Sequence, residues 1–279
     1  MNRSNDARET VIKASRSYYA HRAYYYDLLL QQQSSFSKTH KREVDFLKHA
    51  FSDDAARPII QVLDVACGSG RHLFDLTRMG YKCTGLDLTP ERIQIAKKSA
   101  KREGLSIKLL KGDATRLNYE NEFDAALALY VLFLLSNDDD VLKCLSDIHR
   151  ALRPGGILVC NVGNPFFNGE QWFSLKGIDK GFCVIEDRNS NLHLTELHRL
   201  EDFDSLHGVA WWQETCIIEA PDGIHVFPDR ERVRLFTYWD IVHYLQSAGF
   251  RKIKCYPDWE INPCKKPKAE ALVFVSRKD

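Results

Sequence analysis

A chain of 279 residues has room for one large domain or two small ones, since domains run about 100 to 200 residues. Its 44% hydrophobic and 28% charged content excludes a disordered or fibrous chain, and a formal net charge of +1 excludes a dedicated polyanion binder, so no nucleic-acid partner is expected. The N-terminal stretch MNRSNDARETVIKASR is polar and no apolar run approaches the roughly 20 residues that span a bilayer, so neither a signal peptide nor a membrane partner is expected, and a cytoplasmic location follows.

Residues 1–56 are charged and aromatic with helical spacing, in particular SYYAHRAYYYDLLL and HKREVDFLKHAF, and contain neither Gly nor Pro. They predict a helical N-terminal cap. From Pro58 short apolar runs alternate with amphipathic stretches: IIQVLDVA, RHLFDLTRMG, KCTGLDL, PERIQIAKKSAKREG, IKLLKGD, FDAALALYVLFLL, DDDVLKCLSDIHRALRPGG and ILVCNV. Strand and helix alternating in this way predict crossover units and a doubly wound, mostly parallel sheet. Thr89 with Pro90, and Ser136 or Asn137 before three aspartates, are helix-start signals, and Gly155 with Gly156 is a stop signal.

The alternation fails between 165 and 234, where LHLTELHRLEDF, LHGVAWWQETCIIEA and IHVFPDRERVRLF have period-two patterning with a PDG turn. These predict an inserted small antiparallel β subdomain. TYWDIVHYLQSAGF then predicts a helix stopped by Gly249, and RKIKCYPDW and ALVFVSRK predict two further strands with an antiparallel last strand, for seven in the main sheet. The expected organisation is a cap (1–56), an α/β domain in two pieces (57–164 and 235–279) and the insertion (165–234). The eight cysteines, Cys67, Cys83, Cys144, Cys160, Cys183, Cys216, Cys255 and Cys264, have no CxxC spacing. They are expected to be reduced packing residues, and no metal site is expected.

The chemistry-bearing segment is VLDVACGSG, Val62 to Gly70, a strand followed by a turn of small residues and a helix start. Such a turn lets backbone approach a ligand closely, with free N–H groups at the helix N-terminus behind it. The dinucleotide fingerprint GxGxxG fails because Leu73 stands where the third glycine would be, which disfavours a nicotinamide cofactor. Asp87 ends the next strand about 20 residues on, where a carboxylate can accept ribose hydroxyls. It could equally cap the following helix. Asp113 in KGDATRL can accept an adenine amine with the Ala114 N–H on a ring nitrogen, or sit in a surface turn. The strand from Phe123 to about Leu129–Tyr130 ends in the same crevice.

In this combination the chain resembles the class I S-adenosylmethionine-dependent methyltransferases, from about Pro58 to Val162 and again from Thr237 onward. VLDVACGSG resembles their first motif, GLDLTPERI the acidic motif after it, GDATRL and FDAALAL the next two, and ALRPGGILVC the one before the fifth strand. The resemblance implies that Asp64, Ala66 and Gly68 surround the methionine portion of S-adenosylmethionine, Asp87 and Leu88 hold the ribose, Asp113 and Ala114 the adenine, and that Leu129 offers its carbonyl to the amino group. Ala66 stands in place of the commoner first glycine, as in members similar to glycine N-methyltransferase. YYAHRAYYYD looks like the YY...R...YD element that closes over the cofactor in many small-molecule methyltransferases, making Arg22 a candidate partner for the methionine carboxylate and Tyr18 and Tyr26 candidates near the sulfonium. The same tyrosines could instead pack on the sheet.

The insertion and late helix are similar to a group containing aminosugar N-methyltransferases, which implies a small-molecule acceptor, an amine nitrogen ahead of an oxygen, and S-adenosylhomocysteine as product. Among the histidines, His149 and His243 are expected to be structural, while His198 and His225 lie on insertion strands, with His198 the candidate general base. Trp211 and Trp212 are adjacent on a strand and so face opposite sides, which leaves one of them to line an acceptor pocket. A catalytically silent cofactor-binding protein is the reading from another class, and a monomer or homodimer is expected.

Overall fold

A computed structural model describes residues 9, 13, 19–20, 23, 34–135, 137–166, 179–187, 192–261 and 269–279. The chain divides into two compact units, one of residues 41–167 with 235–279 and one of residues 1–40 with 168–234.

The first unit is a seven-stranded sheet. Its strands are β1 (Gln61–Val65), β2 (Lys82–Asp87), β3 (Lys108–Lys111), β4 (Phe123–Ala128), β5 (Leu152–Gly163), β10 (Arg251–Pro257) and β11 (Ala271–Arg277). They lie in the order β3-β2-β1-β4-β5-β11-β10, all neighbours parallel except at β11, which runs antiparallel to both β5 and β10. This is the expected doubly wound sheet with an antiparallel last strand.

Successive strand residues feed opposite layers. Leu63, Ala126, Leu158 and Phe274 pack with Val141, Leu145 and Ile148 of α4 (Asp138–Ala151) and Ile241 and Leu245 of α5 (Tyr238–Ser247). Val62, Ala125, Leu127, Val159 and Val273 pack instead with Phe46 and Leu47 of α1 (Ser34–His49), Leu73 and Leu76 of α2 (Arg71–Arg78), and Ile93 and Ala96 of α3 (Pro90–Arg102). Because both faces are covered, the central strands β1, β4, β5 and β11 read as mostly apolar runs rather than alternating ones.

Local signals acted partly as expected. The Asn137 side chain accepts the Asp140 N–H at 2.8 Å and caps α4, and three aspartates occupy its first turn, where the helix dipole favours them; Ser136 lies outside the described residues. Thr89 precedes α3 with Pro90 at its start, but its side chain makes no capping bond. α4 ends at Ala151, ahead of the two glycines, because the residue before Pro154 is barred from helical conformation. Thr237 and Asp240 form a reciprocal capping box at α5.

The second unit contains a four-stranded antiparallel sheet, β6 (Asp179–Asp187), β7 (Leu192–Asp204), β8 (Val209–Ala220) and β9 (Gly223–Arg234), in chain order. The predicted insertion is therefore a meander, with β6 an additional strand that the period-two reading did not single out. No described helix is long and apolar enough to cross a membrane.

Candidate functional site

The segment after β1 turns on backbone conformations that side chains resist. Ala66 has φ 62°, Gly68 φ 56° and Gly70 φ 90°, so the position where a glycine is commoner is left-handed even with alanine there. A Cβ on Gly68 would lie 3.0 Å from Arg92 Nη1. The missing third glycine also has a structural answer. Gly85, on β2, lies beneath Leu73, and a Cβ there would fall 2.4 Å from Leu73 Cδ1 and 2.8 Å from Cys67 Sγ. Close helix-to-strand approach, the usual task of a third glycine, is here supplied from the strand.

Behind the turn, α2 begins at Arg71, and the first N–H groups of a helix have no intrahelical acceptor. Asp64, next to last in β1, is 2% exposed. Burial pushes its carboxyl up to about 8, with the Arg71 cation pulling it down and Asp87 pushing it further up.

Asp87 closes β2 and is buried. One carboxylate oxygen accepts the Gly68 N–H at 2.9 Å and the other accepts the Thr89 N–H at 2.8 Å. Asp87 is thus tied at once to Thr89, the residue before α3, and to the glycine turn. Each oxygen keeps a lone pair for a further donor. Leu88 beside it is half-buried. The Gly112 N–H donates to the Asp87 carbonyl at 2.9 Å, which brings the end of β3 alongside. Asp113 follows, its Oδ1 accepting the Thr115 N–H and hydroxyl at 2.9 and 2.8 Å, and Ala114 is buried next to it. Leu129, just beyond β4, is also buried.

A second set of residues carries no motif. Glu43 of α1 is completely buried. Its Oε2 lies 3.0 Å from Arg71 Nη1 and 2.9 Å from His72 Nε2, and its Oε1 lies 3.4 Å from Arg71 Nη2 and accepts the Tyr130 hydroxyl at 2.5 Å. Tyr130 follows Leu129 with φ 58°, a rare conformation for an aromatic residue. Its N–H donates to Asn161 Oδ1 at 2.8 Å, and its ring lies 5.5 Å from the Arg71 guanidinium and 6.3 Å from Trp259. Sequence reasoning passed over Glu43 and Asn161. The available signal was a carboxylate in line with Leu47 and Ala50, on the apolar face of α1.

In the four-stranded sheet, His198 Nδ1 lies 3.1 Å from Glu214 Oε1 and Nε2 lies 3.6 Å from Glu196 Oε2. These two carboxylates, against an opposing effect of burial, push the imidazole up to about 10. A ring with both nitrogens committed to carboxylates is held as imidazolium, which argues for an ion-pair role rather than proton abstraction. Trp211 and Trp212 face opposite sides as expected: the Arg230 guanidinium lies 4.3 Å over Trp211, whereas Trp212 packs against Leu200 and Ala210. His225 pairs with Asp222 at 3.2 Å and His243 is exposed. His149 packs edge-on against Phe250 and is pushed below its ordinary value by burial and by Lys278 and Arg251. Tyr18, Arg22 and Tyr26 lie outside the described residues.

Residues 62–156 match the family model described as a methyltransferase domain. Residues 62–156 therefore carry a methyltransferase domain. The demethylmenaquinone methyltransferase of Tropheryma whipplei (strain Twist) is 35% identical to the chain over 164 residues, 56% of this chain and 65% of that protein. The chain thus spans just under two thirds of that relative's length. Among solved structures, the methyltransferase domain and its insertion are similar in fold to an S-adenosylmethionine-bound amino pentose methyltransferase of Micromonospora echinaspora, with TM-score 0.67, 19% identity and coverage of 91% of this chain and 96% of the other. A sugar N-methyltransferase of Streptoalloteichus sp ATCC 53650 has TM-score 0.66, 19% identity and coverage of 91% and 93%.

Proposed function

We propose that the protein transfers a methyl group from S-adenosylmethionine to a small-molecule acceptor, at an amine nitrogen. One observation carries the reading: Asp64, Asp87, Asp113 and Leu129 stand at or just past the carboxyl ends of β1, β2, β3 and β4 around a turn at Gly68 tied to Asp87. Ligands of open parallel sheets bind at that end.

The donor set fits the cofactor. A turn in which Gly68 and Gly70 take left-handed backbone lets the main chain approach a ligand closely, which suits the methionine portion beside Asp64, Ala66 and Gly68. The remaining lone pairs of Asp87, next to Leu88, suit vicinal ribose hydroxyls; Asp113 and the Ala114 N–H suit an adenine edge, and the Leu129 carbonyl suits the amino group. Arg22, Tyr18 and Tyr26 are assigned to the methionine end on the strength of their motif.

Bound S-adenosylmethionine supplies a methyl group that is already activated. The residues therefore have to align donor and acceptor and exclude water, and alignment of this kind can supply about 7 to 11 kcal/mol. An amine sheds its proton far more readily than an aliphatic hydroxyl, which would call for a general base. The two carboxylates on His198 leave that ring poorly placed for the task. The amino pentose and sugar N-methyltransferases of similar fold favour a nitrogen acceptor.

Calorimetry with S-adenosylhomocysteine, followed by turnover on matched amine and hydroxyl acceptors, tests the proposal. Cofactor binding with methylation of amines is expected. Methylation confined to hydroxyls would reassign the acceptor atom, and absence of cofactor binding would remove the reading altogether.

A further inference from the structure

Glu43 is a carboxylate with no exposed surface on a helix that the cofactor motifs do not include. Taking an ion out of water costs several kcal/mol unless its partners compensate, so the partners show what the burial secures. They come from two places in the sheet unit. Arg71 and His72 are the first two residues of α2, directly behind the glycine turn, and Tyr130 directly follows Leu129 at the exit of β4. Arg71 Nη2 donates to Glu43 Oε1 at 3.4 Å and Nη1 lies 3.0 Å from Oε2 as an ion pair, so a hydrogen bond and charge attraction together hold the guanidinium beside Glu43. Tyr130 is held at three points, its N–H by Asn161, its hydroxyl by Glu43 and its ring by contacts with Arg71 and Trp259. A left-handed aromatic residue costs of order 1 to 3 kcal/mol and persists only where its surroundings over-determine it.

We propose that Glu43 is a positioning residue of the cofactor crevice, clamping the first turn of α2 and the exit of β4 together so that both segments are set before S-adenosylmethionine arrives. The inference rests on the cofactor reading above. It adds a member from α1 whose contribution is preorganisation, since the Glu43 oxygens are taken by protein partners and do not face the ligand as a donor set.

The charge arrangement supplies a signature. Arg71 faces Glu43 on one side and acts on Asp64 on the other, where Asp87 also raises the carboxyl. Cys67 and Cys83, which also feel Asp64, are held as neutral thiols by burial. Glu43 itself faces Arg71, His72 and Tyr130, with His40 one turn earlier on α1. Removing the Glu43 charge leaves the Arg71 cation to Asp64 alone, which then ionises at lower pH.

The test is calorimetric titration of the full chain with S-adenosylhomocysteine across pH 6 to 9, alongside thermal unfolding. Glu43→Gln is expected to weaken binding about tenfold near neutral pH and to shift the pH dependence of binding to lower pH. Glu43→Gln with Tyr130→Phe should bind no more weakly than Glu43→Gln alone, because both break one clamp. A folded Glu43→Gln with wild-type affinity and pH dependence overturns the inference, as does a uniform loss at all pH that adds to the Tyr130→Phe effect. If Glu43→Gln does not fold, Tyr130→Phe and His72→Gln each cut one arm, and unchanged affinity in both overturns it. Wild-type protein that binds no S-adenosylhomocysteine overturns the cofactor reading and this inference together, whereas normal wild-type binding with unaffected variants overturns this one alone.

Discussion

The carboxylate of Asp87 holds the N–H of Gly68 at 2.9 Å across 19 residues of sequence, so the acidic end of β2 and the glycine turn after β1 are a single hydrogen-bonded object. Replacing Asp87 by Ala removes both a ligand acceptor and the tie that fixes the turn. S-adenosylhomocysteine affinity should fall more than tenfold, since a charged acceptor is worth about 1.5 to 3 kcal/mol. Calorimetry on folded protein checks this, and unchanged affinity would place the ribose elsewhere.

Asp64 makes cofactor binding pH-dependent. Its carboxyl is raised to about 8, first by burial, so the folded chain holds a proton there that the unfolded chain has shed above its ordinary value of 3.8. That contribution to stability is complete below the unfolded value and is lost as pH rises through about 8. The positive charges of the cofactor favour the ionised form. Binding should therefore release a proton below pH 8, with affinity gaining up to about tenfold per pH unit and levelling above it. Titrations in buffers of different ionisation enthalpy count the proton. Asp64→Asn should abolish its release.

Gly85 is the least tolerant position around the turn. A Cβ at 2.4 Å from Leu73 Cδ1 and 2.8 Å from Cys67 Sγ forces α2 off the sheet, so Gly85→Ala should cost about 1 to 3 kcal/mol and weaken the cofactor as well. Leu73→Ala in the same chain should recover part of the loss, because the two side chains compete for one volume. Denaturant unfolding of the single and double variants measures it, and fully additive losses would locate the strain elsewhere.

His198 should act on stability. Its imidazole is raised to about 10, chiefly by hydrogen bonds to Glu196 and Glu214, against an ordinary 6.5. The stabilisation is fully present below about 6.5 and lost as pH rises through about 10. The unfolding temperature of the wild type should therefore fall more steeply between pH 8 and 10.5 than that of His198→Gln. A turnover rate that climbs through a pKa near 6.5 and loses that dependence in His198→Gln would instead assign the ring to proton abstraction.

The sheet was legible because both its faces are covered, which writes β1, β4 and β5 as mostly apolar runs separated by stretches of helical spacing. The acidic strand ends were legible because Asp87 closes β2 and Asp113 stands two residues past β3. Leu73 rightly set the dinucleotide fingerprint aside. It breaks a fingerprint whose steric purpose is met by Gly85, and a partner lying across a helix–strand interface leaves no fixed spacing to read. Glu43 was illegible for the same reason, since Arg71 is 28 residues away and Tyr130 87 residues away, and nothing in the spacing joins them before the chain folds. β6 was hidden because its residues carry no clear alternation.

The placement of β11 has a consequence for how the chain is made. Its central residues are almost wholly buried between β5 and β10, in register from Ala271 opposite Gly163 to Arg277 opposite Ile157. A strand more than a hundred residues downstream of its neighbour occupies an interior slot of the sheet, so β5 must wait with an open edge while that intervening chain is synthesised. A ribosome stalled anywhere in that interval holds a half-sheet with an adhesive flank, and a chaperone that shields the edge of β5 has its work defined by that delay.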